Sequence, residues 1–61
     1  MNQTTTAILQ EIAQTGQAVI INTRTRDLHA ALDLIKAGVC YRSNTLPDFF
    51  IIKFGTQPVI I

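Results

Sequence analysis

Two short stretches of this chain, Ala18-Val19-Ile20-Ile21 and Phe49-Phe50-Ile51-Ile52, are apolar without interruption. A strand with one wet face alternates apolar and polar side chains. An unbroken β-branched or aromatic run therefore predicts a strand covered on both faces. That demand is hard to meet with 61 residues, which suffice for one layer of helices over one small sheet. The missing cover has to come from outside the chain, and a second copy is the simplest supplier.

Composition narrows the class further. Apolar residues make up 48% of the chain, charged residues 15%, and the net charge is +1, which excludes a disordered polyelectrolyte. The length allows one domain, residues 1–61, and excludes a multidomain enzyme. A single cysteine and a single histidine exclude a disulfide framework and a zinc module, so no metal and no cofactor are expected. Met1-Asn2-Gln3-Thr4-Thr5-Thr6 has neither the basic nor the apolar region of a signal peptide. No apolar run approaches the roughly 20 residues of a membrane span. With one cysteine, these features predict a cytoplasmic protein that does not engage membranes.

The hydrophobic periodicity predicts the order α-β-α-β-β. A first helix runs from the Thr4–Thr6 region to Thr15, with Ile8, Leu9, Ile12 and Ala13 on one face, a threonine N-cap and Gly16 as its left-handed terminus. Ala18–Ile21 is the first strand. A second helix spans residues 26–37, capped by Thr23 or Thr25, with an inward stripe of Leu28, Ala31, Leu32 and Ile35. Gly38 ends it, with Val39 placed for a Schellman contact to Leu34. Residues 39–44 alternate, with Val39, Tyr41 and Ser43 on one face and Cys40, Arg42 and Asn44 on the other. Pro47-Asp48 centres a turn, Phe49–Phe54 is a continuous apolar strand, and Val59-Ile60-Ile61 is placed to add a short edge strand. With the most apolar strand in the middle, the fold is α+β. It has a three- to four-stranded, mostly antiparallel sheet of order 1-3-2 and two helices on one face.

Little in this sequence supports catalysis. His29 and Cys40 lie on different elements, and a cysteine nucleophile needs an imidazole at hydrogen-bond distance. Cys40 reads as a small buried hydrophobe. Asp27 and Asp33 point about 120° apart on their helix, and each glycine ends an element instead of building a phosphate loop. The chain is not expected to be an enzyme.

Charge is placed unevenly. Residues 1–23 carry only Glu11, while residues 24–61 carry all five basic side chains and three acidic ones. The segment Arg26-Asp27-Leu28-His29-Ala30-Ala31-Leu32-Asp33-Leu34-Ile35-Lys36-Ala37-Gly38-Val39-Cys40-Tyr41-Arg42 resembles the recognition helix of winged-helix domains leading into the wing. The resemblance covers about half the chain. It implies a nucleic-acid-binding regulator in which Arg26, His29 and Lys36 face a groove, Arg42 and Lys53 lie near the wing, and Arg24 adds a further nucleic-acid contact. A winged helix has a further helix before the recognition helix, where this chain offers Ala18–Ile21. Asp33 lies centrally on the same helix face and repels phosphate. A solvated helix face with a local His29–Asp33 pair accounts for the same residues.

The apolar excess carries the leading expectation. Phe49, Ile51, Phe54, Val59, Ile60 and Ile61 form the expected interface of a small non-enzymatic interaction module. It works as a homodimer or other oligomer and regulates or inhibits a larger protein partner, in the manner of phage and plasmid accessory proteins. Two structural outcomes separate this from nucleic-acid binding. One positive patch joining the second helix to Arg42 and Lys53 favours nucleic acid, and an exposed apolar sheet face favours a protein.

Overall fold

A computed structural model describes residues 2–57 of the chain. Its elements are α1 (Gln3–Thr15), β1 (Ala18–Ile21), α2 (Thr25–Lys36), β2 (Cys40–Thr45) and β3 (Phe49–Phe54). The strands form one antiparallel sheet of order β1-β3-β2. Fold class, element order and strand order are those expected from the sequence. The suggested edge strand at Val59-Ile60-Ile61 lies outside the described residues.

The helix ends follow local backbone chemistry. Asn2, not a threonine, caps α1: its Oδ1 accepts the Thr5 N–H at 2.8 Å, satisfying one of the donors left free in a first turn. Gly16 terminates α1 at φ 91°, and its N–H donates to the Ile12 carbonyl. A side chain there would be strained in the left-handed region. Neither Thr23 nor Thr25 caps α2; Arg24 occupies the N-cap with no side-chain bond. Asp27 in the first turn and Lys36 in the last complement the helix dipole. At the far end, Val39 N–H donates to Leu34 C=O at 3.0 Å and Gly38 N–H to Ile35 C=O at 3.1 Å, the two bonds of a Schellman terminus.

The core lies between the helices and one face of the sheet. It consists of Ile8 and Ile12 from α1, Ala18 and Ile20 from β1, Ala30, Ala31 and Leu34 from α2, Cys40 from β2, and Phe50 and Ile52 from β3. Ala13 is exposed, so the buried stripe of α1 is narrower than its sequence suggests.

The inward face of α2 is also rotated from the expected one. Ala30, Ala31 and Leu34 are buried, Leu28 and Ile35 are half-buried, and Leu32 is 39% exposed. The physical reason is that α2 packs against α1 as well as against β1 and β2. A helix wedged between two neighbours brings its small side chains to the closest approach, and here those are the adjacent Ala30 and Ala31. A stripe chosen for its largest apolar residues is drawn toward Leu32 instead.

The hairpin of β2 and β3 closes through Leu46 N–H to Phe49 C=O at 2.9 Å, with Pro47 and Asp48 as its two central residues. It is tied to the end of β1 by Asn22, whose backbone N–H donates to Asp48 C=O at 3.0 Å and whose amide donates to Pro47 C=O at 3.2 Å. The register of β2 shifts between Arg42 and Asn44. Arg42 pairs with Ile52, but Asn44 pairs with Ile51 and Thr45 with Phe50. The expected alternation of β2 therefore breaks at Ser43, whose hydroxyl donates to Ile51 C=O at 3.3 Å. A bulge of this kind re-aims the side chains beyond it and bends an edge strand.

Candidate protein interface

Cross-strand pairing decides which side chains share a face of the sheet. Ala18 opposes Ile52, Ile20 opposes Phe50, and Cys40 opposes Phe54 on the helix side. On the other side Val19 opposes Ile51, Ile21 opposes Phe49, and Tyr41 opposes Lys53. Among the described residues the core cluster takes no member from this second side. Val19 is 42% exposed and Ile21 36%, while Tyr41, Phe49, Ile51 and Lys53 are half-buried by their own neighbours.

Among the described residues both apolar runs are therefore covered on one face only, as expected of a chain with material for a single layer of cover. The result, among those same described residues, is a largely apolar surface with one ionic group, Lys53, and with Asn44 beside Ile51. Its central residues Phe49 and Ile51 are the expected interface residues. Val19, Ile21 and Tyr41 join them, and their place on the face follows only once the strand register is known. Phe54 does not belong to it: it pairs with Cys40 on the helix side, where it is 47% exposed. Val59, Ile60 and Ile61, expected in the same interface, lie outside the described residues.

The basic residues do not gather. Arg24, Arg26, His29 and Lys36 are exposed on α2 or its start, together with Asp33, also exposed. A shallow cleft between α2 and the start of α1 is lined by Asn2, Gln3, Thr4, Arg26, His29, Ala30 and Asp33, so its one arginine shares the wall with a carboxylate. Arg42 projects on the helix side of the sheet, its guanidinium 4.4 Å from the centre of the Phe50 ring, in a cation–π contact. Lys53 points to the opposite face. Arg42 and Lys53 thus lie on opposite faces of the sheet, and Lys53 does not join the α2 cations.

No nucleophilic pair forms either. Cys40 is buried in the core, 2% exposed, whereas His29 is exposed on α2. Burial pushes the Cys40 thiol up, so it stays protonated at neutral pH and fills space as an apolar side chain. Among the described residues no cluster of three histidine, cysteine or acidic side chains could hold a metal ion, and no helix is long and apolar enough to cross a membrane. No protein-family model, curated protein or solved structure matches the chain.

Proposed function

We propose that this chain is a small non-enzymatic, cytoplasmic protein-interaction module that acts through the open face of its sheet. The observation carrying the proposal is that both helices lie on one side of a sheet whose strands β1 and β3 carry apolar side chains on both. An apolar surface of this kind, rimmed by polar residues, marks an interaction site on a protein that has to stay in solution. The face self-associates and, in its working role, docks on a larger protein that it regulates or inhibits. Lys53, the single charge on the face, sets the polarity of the partner: an apolar patch with a carboxylate or an aromatic ring opposite the ammonium.

Sedimentation equilibrium at micromolar concentration tests self-association. A weight-average mass above the 6.7 kDa of one chain, rising with concentration, is expected. A single species at that mass across the range contradicts it.

Binding of nucleic acid through a wing is the alternative, and the separation of Arg42 and Lys53 onto opposite faces speaks against it. Titration of a labelled duplex at physiological salt should show no binding tighter than the ~10⁻⁶ M limit usual for non-specific contacts. Tight binding that weakens steeply with salt, and whose salt slope flattens by about one unit in Arg26→Ala and Lys36→Ala, reinstates the alternative.

A further inference from the structure

β1 is an edge strand of four apolar residues with no charge, no proline and no bulge. Such an edge is a template for pairing with another chain unless something blocks it. Asn22 N–H points inward to Asp48 of the turn before β3, so by alternation Gln17, Val19 and Ile21 turn their backbone groups outward. Three of those outward groups are already taken. Thr15 Oγ1 lies 2.7 Å from Gln17 C=O, Glu11 Oε2 accepts the Val19 N–H at 3.0 Å, and Ile21 C=O accepts the Arg24 N–H at 3.0 Å.

Two of these bonds are local, made within two or three residues. The third is not. Glu11 reaches from α1 across eight residues of sequence, and it is the one charged side chain in residues 1–23. It meets the Val19 N–H, one of the two outward donors of β1 with Ile21. The opposite edge strand, β2, is instead bent by its bulge.

We propose that the Glu11 carboxylate is a strand-edge blocker: by occupying the Val19 N–H it keeps β1 from pairing antiparallel with β1 of a second copy. A second copy is the occupant because the strand is uniformly apolar and short. A two-fold axis near Ile20 sets Val19 of one copy opposite Ile21 of the other: Ile21 N–H donates to the free Val19 C=O, and the freed Val19 N–H shares the second lone pair of the Ile21 C=O that already accepts from Arg24. This holds whether or not the open face binds a partner, since face docking makes no backbone bonds to the β1 edge.

Glu11→Ala and Glu11→Gln decide it. Position 11 is exposed and alanine is the better helix former, so the helix persists in the first variant. The glutamine oxygen can still accept the Val19 N–H in the second. Sedimentation equilibrium with residue-resolved amide exchange is the readout. Glu11→Ala is expected to gain an association step about a hundredfold tighter than any in the parent chain, because the symmetric pair would break one charged hydrogen bond in each copy, about tenfold apiece. Its Ile21 amide becomes protected as concentration rises, which association through the open face would not produce. Glu11→Gln should behave as the parent. The proposal is overturned if Glu11→Ala associates no more than the parent, if it associates without protecting Ile21, or if Glu11→Gln associates as strongly as Glu11→Ala.

Discussion

Phe50→Ala is expected to unfold the chain near room temperature. Phe50 is 3% exposed in the central strand and packs in the core cluster with Ile20 and Ile52. Truncating a buried phenylalanine costs about 3–5 kcal/mol, because the transfer free energy is lost and a cavity remains. The Arg42 guanidinium also loses the ring on which it rests, at about 0.5–1 kcal/mol for an exposed contact. A chain of 61 residues has a total stability of roughly 3–9 kcal/mol at the usual value per residue. One substitution therefore removes most of it. Thermal and urea unfolding followed by circular dichroism checks this. A melting temperature within a few degrees of the parent would mean that β3 does not hold the core.

Ala31→Leu should be the other severe substitution, and its neighbour should be mild. Ala31 is fully buried in the core cluster, so three further carbons have to displace packed neighbours. Overpacking a filled site costs about 1–3 kcal/mol and sometimes more. Leu32, one residue on, is 39% exposed, and Leu32→Ala should cost under about 1 kcal/mol, as partly exposed changes usually do. His29→Ala, on the same exposed side, should stay within about 0.5 kcal/mol. Parallel melts of the three variants fix the rotation of α2. Collapse of Leu32→Ala would restore the stripe of Leu28, Ala31, Leu32 and Ile35 as the buried face, and tolerance of Ala31→Leu would contradict both placements of Ala31.

That pair of residues also shows where the sequence was legible and where it was not. Gly16, Gly38 and the Pro47-Asp48 pair mark element ends by backbone chemistry that acts within a few residues, so element order could be read directly. Strand order followed from hydrophobicity, since the most apolar strand gains most from two neighbours. The phase of α2 depends on α1 as well as on the sheet, and no periodicity within the helix contains that second neighbour. The faces of β2 depend on a bulge at Ser43, which shifts Asn44 and Thr45 by one position and has no signature in the surrounding residues.

The candidate site divides in the same way. An apolar excess around Phe49 and Ile51 is visible in composition. Their companions Val19, Ile21 and Tyr41 become neighbours only through the antiparallel register, and Phe54 leaves the group for the same reason. Arg42 and Lys53 are eleven positions apart in sequence, and pairing on opposite faces of two adjacent strands separates what sequence proximity suggested as one patch. Glu11 was legible only as a polar residue on the outer side of α1. Its bond to Val19 depends on how α1 lies beside the edge of the sheet.

The open face itself is tested most directly by backbone amide chemical shifts of the uniformly ¹⁵N-labelled chain, compared between dilute and concentrated solution. If the face is the interaction surface, the concentration-dependent shifts cluster at Val19, Ile21, Tyr41, Phe49, Ile51 and Lys53, while Arg26, His29, Asp33 and Lys36 on α2 stay unchanged. Shifts confined to the exposed side of α2, or none at any residue of the face across the micromolar-to-millimolar range, would contradict it.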